Sequence, residues 1–201
     1  MSSIIKVDTI QNQSGANIIS ESSNTITVGA SGDTITVPTG ASLTVPSGGL
    51  SGQNYPAFEA QRPQAVQVVS DNTSTKVQFS TENFDTDNCY DNSTNYRFTP
   101  TVAGKYFVYA RIMTRAETNT ELSVAEISLL KNGSKIGSSR FDNGGTSKVN
   151  NKTLVINQIV DMNGSSDYIE CFGIVDVGSG NAQFYNDSAE RTIFGAYRIG
   201  A

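Results

Sequence analysis

The chain has 201 residues, with 14 basic and 19 acidic side chains, a formal charge of −5 and no histidine. An acidic chain without a run of Lys or Arg argues against a partner held by its phosphate backbone. The missing histidine removes Ser-His-Asp and Cys-His catalysis and His-ligated zinc together.

Hydrophobic residues make up 37% of the chain and Gly adds 18 residues, enough apolar content for a folded protein. The polar remainder is dominated by 24 Ser, 20 Thr and 18 Asn. These residues disfavour helix interiors and favour strands, turns and caps. No apolar run reaches the roughly 18 residues of a membrane helix. The opening MSSIIKVDTI lacks the charged and apolar segments of a secretory signal. The expectation is synthesis as a soluble cytoplasmic product, with no membrane insertion.

Residues 1–22 contain isolated apolar positions, Ile4, Val7, Ile10, Ile18 and Ile19, that need burial against something. Residues 23–52 repeat an apolar-Thr-apolar triplet at Ile26-Thr27-Val28, Ile35-Thr36-Val37 and Leu43-Thr44-Val45. Alternation at period two places each pair of apolar residues on one face. A single chain cannot cover so narrow a face, whereas three chains wound about an axis can. The segment is therefore either a short β stalk or a solvated linker.

All 17 Phe and Tyr residues lie from Tyr55 onward, and Lys6 is the one basic residue before that point. Ser47-Gly48-Gly49-Leu50-Ser51-Gly52 marks the boundary, so residues 53–201 form the domain with a core. Gly104–Arg115 alternates with apolar residues on both faces, Tyr106, Val108, Ala110 and Ile112 against Phe107, Tyr109, Arg111 and Met113. That pattern predicts a central strand covered on two sides. Glu121–Leu130 predicts a strand entering an Asn132-Gly133 hairpin, with Lys135–Phe141 as its return. Lys152–Met162, Tyr168–Val177 and Arg191–Ile199 complete the strands. Short strands joined by Asn/Gly turns imply an all-β antiparallel sandwich or barrel.

Cys171 shares a strand face with Ile169, Gly173, Val175 and Val177 and is expected to be a small buried residue. With Cys89 it does not make a disulfide framework. Asp85, Asp87 and Asp91 alternate as in a calcium loop. The register fails, because Tyr90 and Tyr96 stand where such a loop needs Gly and Glu, and whether the loop binds calcium stays open. Glu117, Glu121 and Glu126 sit in or beside a strand with no marked cleft, so paired-carboxylate hydrolysis is not expected. No phosphate-binding Gly-rich loop precedes a helix. The expectation is a non-enzyme without cofactor or metal.

Tyr96-Arg97-Phe98-Thr99-Pro100-Thr101-Val102-Ala103-Gly104-Lys105-Tyr106-Phe107 resembles the core motif of complement-one-q and tumour-necrosis-factor-like jelly rolls. Leu129–Gly133 is similar to that family's Lys-Asn-Gly hairpin, and Thr192–Tyr197 to its closing Phe-x-Gly-aromatic strand. The resemblance spans about Tyr55–Ile199 and implies a homotrimer. It also implies a fold and trimer core containing Phe98, Pro100, Gly104, Tyr106, Phe107, Phe194, Gly195 and Tyr197. A second resemblance covers residues 4–19, whose Lys6-Val7-Asp8…Ile10…Asn12…Gly15 is similar to the opening of structural proteins of tailed bacteriophages. It implies docking on another virion protein through Ile4, Val7, Ile10, Ile18 and Ile19, with packing into the stalk as the ordinary alternative.

Together these resemblances imply a trimeric virion protein, a tail or head fibre. Its host-recognition loops, for a surface glycan or protein, would come from residues 88–95, 142–151 and 178–187. The alternative is an architectural protein that decorates or cements a capsid without touching a host.

Overall fold

The computed structural model describes residues 9–15, 17–23, 25–29, 31–43, 55–117, 121–145, 148–187, 189 and 192–200. The chain divides into two units, Met1–Leu50 and Ser51–Ala201. All regular structure among the described residues is β.

The first unit is a three-stranded antiparallel meander of β1 (Thr9–Gln11), β2 (Asn17–Ser22) and β3 (Thr25–Val28). Asn12 accepts the Ser14 amide at 3.0 Å in the turn between β1 and β2, a local bond that favours turns over strand continuation. The register sets Ile10 opposite Ile19 and Ile19 opposite Val28. Only the first Thr-centred triplet is a strand. The second, and the described part of the third, run as irregular backbone with Ile35, Val37 and Leu43 exposed. Among the described residues nothing pairs with them, and an unpaired extended segment has no ladder to join. Ile4, Val7, Thr44, Val45 and the Ser47–Gly52 stretch lie outside the described residues.

In the second unit the chain runs through β4 (Ala57–Gln61), β5 (Val66–Val69), β6 (Thr75–Lys76), β7 (Thr81–Asp85), β8 (Tyr90–Asp91) and β9 (Arg97–Phe98). Longer strands follow: β10 (Ala103–Ala116), β11 (Leu122–Lys131), β12 (Ser134–Asp142), β13 (Asn151–Asn163) and β14 (Ile169–Val177). β15 (Ala182–Tyr185) and β16 (Ile193–Gly200) close the unit. A seven-stranded sheet has the order β5-β15-β10-β16-β4-β7, with β13 on the other side of β10. A six-stranded sheet has the order β12-β11-β14-β9-β8, with β6 also on β14. Every pairing is antiparallel, and consecutive strands repeatedly change sheets. This is a two-sheet jelly-roll sandwich.

β10 is the spine of the first sheet, pairing with β13 along its whole length and with β16 and β15 in turn on its other edge. Its Tyr106, Val108, Ala110 and Ile112 are buried. Facing them from β14 are Ile169, Cys171 and Val175, all fully buried. The Asn-Gly turn forms as expected, with Asn132 and Gly133 at φ 52 and 77° between β11 and β12, the left-handed pair that a type I′ turn requires. Gly104 sits at φ 144°, where an added Cβ would lie 2.2 Å from the Gly200 carbonyl oxygen, so no side chain fits at the start of β10.

One end of the core is aromatic. Phe58 stacks on Tyr90 and Phe98, at 4.5 and 4.6 Å between centroids, and meets Phe194 edge-on at 5.0 Å. These rings tie β4, β8, β9 and β16 together, joining the two sheets. Tyr90 donates to the Phe79 carbonyl at 3.1 Å, which satisfies its buried hydroxyl.

Phe58→Ala is expected to cost about 3–5 kcal/mol, since it opens a cavity at the centre of this cluster. In a domain of about 150 residues that corresponds to a fall of roughly 10 °C in Tm by calorimetry.

Candidate functional site

Two surfaces stand out in the second unit. The first is the outer face of the seven-stranded sheet. Odd-numbered residues of β10 point away from the core, and their cross-strand partners set Phe107 between Ile159 and Tyr197. Arg111 likewise lies between Val155 and Ile193. Phe107 lies 5.5 Å from the Tyr197 ring and 6.1 Å from Tyr109. Val155 and Ile159 are each 58% exposed, Tyr197 and Ile199 of β16 are exposed, and so is Phe84 at the β7 edge. The expectation that both faces of β10 are covered is thus corrected for the single chain. Tyr106 is core, whereas Phe107 and Tyr197, which the motif resemblance places in the fold and trimer core, lie on this outer face in the single chain, Phe107 half-buried and Tyr197 exposed. Phe98, Pro100, Phe194 and Gly195 are buried, and Gly104 is partly so.

Polar anchoring fixes this face. The Tyr109 hydroxyl donates to Glu59 Oε2 at 2.6 Å, and Asn83 donates to Glu59 Oε1 at 2.8 Å. Burial and the Glu59 carboxylate both raise the Tyr109 pKa, so the phenol remains a donor. Gly195 is required by the ring above it: a Cβ there would stand 2.4 Å from Tyr109 Cζ.

The second surface is an open cleft of about 540 Å³ at one margin of the sandwich, where β7 and β8 end their respective sheets. It is lined by Glu82 of β7, by Asn88, Asp91 and Asn92 of the intervening loops and β8, and by Arg97 and Thr99 of and after β9. Three carboxylates organise its wall. Asp85 accepts the amides of Asp87, Cys89 and Tyr90 at 3.3, 3.1 and 2.8 Å. Asp91 accepts the amides of Ser93, Thr94 and Asn95 at 3.1, 2.9 and 3.0 Å, and the Asn95 side chain at 2.7 Å. Asp87 accepts Thr101 Oγ1 at 2.7 Å. The Thr94 amide first, then those of Ser93 and Asn95 with the Asn95 side chain, hold the Asp91 carboxyl far below the usual carboxylate range.

In the acidic segment 85–91, Asp85 and Asp91 turn inward as caps on backbone amides, and Asp87 accepts a hydroxyl from Thr101. Among the described residues no three Asp, Glu or Cys side chains converge as metal ligands. Glu82 differs, since partial burial first and Asp85 second raise its pKa.

The remaining acids and thiols are structural. Glu126 of β11 accepts Lys135 at 2.5 Å and Arg140 at 3.3 Å, and its pKa is lowered chiefly by the Lys135 bond. Glu117 accepts the Asn181 amide group at 2.7 Å and Glu121 that of Asn143 at 3.1 Å. Cys89 and Cys171 are both buried and free, with pKa values pushed up by burial, which suppresses thiolate chemistry. In the first unit, Ile10 and Ile19 share one sheet face with Val28, and Ile18 lies on the other face. Ile10, Ile18, Ile19 and Val28 are all exposed.

Sequence reasoning placed loop 88–95 at a recognition surface but missed Glu82 and Arg97, which come from other elements. It also missed Val155 and Ile159, although the alternation of Lys152–Met162 carried the signal for them.

No protein-family model matches this chain, and no curated protein matches it. Solved structures do. The chain is similar to the Eiger TNF of S. frugiperda at 8% identity and a TM-score of 0.51, covering 73% of this chain and 94% of that one. It is similar to murine APRIL at 9% identity and a TM-score of 0.52, covering 72% of this chain and 98% of that one. A second murine APRIL structure, at pH 8.0, gives 11% identity and a TM-score of 0.51 over the same shares. At these identities the likeness shows the TNF-type jelly-roll fold alone.

A depressed pKa means that the ionised Asp91 stabilises the fold, so its contribution is complete above about pH 4, the unfolded carboxylate value, and is lost as pH falls towards the folded value. The expected outcome is that amide-exchange protection at Ser93, Thr94 and Asn95 persists through pH 4 and fails only below it. Asp91→Asn should lose much of that protection at neutral pH.

Proposed function

We propose that this protein is a homotrimeric structural component of a tailed-phage particle. It is a tail or head fibre that attaches through its N-terminal residues and presents the jelly roll to the host surface. The observation that carries the trimer is the outer face of the seven-stranded sheet. Phe107, Tyr197, Val155, Ile159 and Ile199 make an apolar field beyond what isolated surface hydrophobes require, and such fields mark protein contacts. Tyr109 and Asn83 are held by Glu59 on this face, which lowers the ordering cost of association there. The stoichiometry of three is supported by the one-q and TNF-like motif that the chain resembles.

The particle setting is supported by the phage-like opening of residues 4–19. The exposed row Ile10, Ile19 and Val28 supports a docking role for the first unit, because a small sheet with a bare apolar face is marginal until covered. The reading is non-enzymatic: the acids tested for hydrolysis, Glu117, Glu121 and Glu126, are engaged by Asn, Lys or Arg side chains. Its localisation would be the virion, and its second partner another virion protein.

Native light scattering should return three times the 21.4 kDa chain mass. Phe107→Asp with Tyr197→Asp should give a folded monomer, since truncating central aromatic anchors costs ~2 kcal/mol or more each. A monomeric wild type would refute the trimer. Purified protein should also block adsorption of particles to host cells in a saturable way; absence of any cell binding would favour the capsid-decorating role instead.

A further inference from the structure

We propose that the margin cleft between β7, β8 and β9 is a subsite for a neutral saccharide, with Arg97 as its principal donor. This rests on the host-surface reading above and names the ligand class for it. The first argument is the uncommitted guanidinium. Arg97 lies over the Tyr168 ring, 4.6 Å from its centroid. Stacking of this kind holds the planar fork in place while leaving its N–H edges available.

The register brings two carboxylates opposite Arg97, Asp91 on β8 and Glu170 on β14. Neither pairs with it among the described residues. Asp91 is spent on the amides of residues 93–95, and Glu170 is taken by Lys76, whose Nζ also donates to the Asn95 carbonyl at 3.0 Å. Arg97 is half-buried, accessible, and without a hydrogen-bond acceptor of its own among the described residues. A cation fixed by a ring and denied its neighbouring anions is a donor waiting for an external acceptor.

The second argument is what surrounds it. A volume of about 540 Å³ lies within the ~300–1,000 Å³ range of ligand sites, but those are mostly apolar. This one is polar. Glu82, Asn88, Asn92 and Thr99 line it, and their side-chain polar groups have no hydrogen-bond partner among the described residues. Together they offer both donors and acceptors. Hydroxyl groups, which donate and accept at once, match that mixture. An anionic ligand would meet Glu82 and Asp91, and a cationic one would meet Arg97. A polyhydroxylated neutral ligand meets neither penalty. The walls are also preset, because Asp85 and Asp91 lock the loops that carry Asn88 and Asn92, which lowers the ordering cost of binding.

The test uses the full-length protein against an array of neutral, amino and acidic glycans, followed by saturation-transfer NMR with the methyl α-glycosides of glucose, galactose and mannose. At least one neutral saccharide should bind. Arg97→Ala should weaken it tenfold or more, Asn92→Ala and Thr99→Val by smaller factors, and Ser138→Ala, at an exposed position of β12, not at all. Circular dichroism and native mass confirm folding. If Arg97→Ala does not fold, the Asn92 and Thr99 variants decide. No bound saccharide, or binding unchanged in every cleft variant, overturns the subsite. Host-cell adsorption measured on the same proteins separates the two readings. Adsorption retained without saccharide binding refutes the cleft alone, whereas saccharide binding without adsorption supports the cleft and refutes the host-surface role.

Discussion

The structure turns on the alternation of one strand. β10 places Tyr106, Val108, Ala110 and Ile112 in the sandwich core and Phe107, Tyr109 and Met113 on the opposite side, and a single chain has only one core to offer. The first set is satisfied by β14 and the aromatic cluster around Phe58. Of the second set Met113 is buried but Phe107 and Tyr109 are only half-buried, and the neighbouring strands extend the problem rather than solve it, because β13 adds Val155 and Ile159 and β16 adds Tyr197 and Ile199. A strand apolar on both faces needs two layers over it. The chain supplies one of them, and association is the economical source of the other.

The loops are governed by a different device. With few charges to spare, the chain uses short acidic and amide side chains as backbone caps. Asp85 and Asp91 each bind several amides, and Asn163 does the same for residues 165–167, with bonds of 3.0 Å to each amide. Arg62 works from the donor side: it is 4% exposed and gives N–H groups to Gln67, Gln78 and Ala65 oxygens. Such bonds tie the acids to backbone amides of their own loops and leave the loops stiff. The margin cleft is a product of that stiffness, since its free groups sit on segments whose own backbone bonds are already closed.

Much of the fold was legible because period two and Asn-Gly turns are local signals. β10 to β14 and β16 follow their alternation within a residue or two, and Cys171 sits on the buried face that Ile169 and Val175 define. The short strands β6, β8 and β9 were not legible, because two residues carry no period. β7 was hidden for another reason: Thr81, Glu82, Asn83 and Phe84 are all exposed, so burial leaves no imprint on it. The half-buried position of Phe107 could not be read from alternation, which shows that a residue faces away from its neighbours but not what lies beyond. The site was hardest, because Arg97 and Glu82 meet only through the pairing of β9 with β8 and the placing of β7 at the same margin.

The two surfaces differ in what they can achieve alone. A dry aromatic face converts area into affinity, whereas an open cleft of amides, a carboxylate and one guanidinium must give up water for every bond it makes, so each contact nets little. A weak cleft becomes a useful one when copies are joined, because the second and third engagements then occur at a high effective concentration. The cleft residues lie at the sheet margin and on β8 and β9, outside the Phe107 and Tyr197 face, so covering that face in the proposed trimer does not consume them. On that reading the apolar excess of β10 does two jobs at once: it closes the structure that one chain leaves open, and it multiplies a polar site too weak to act singly.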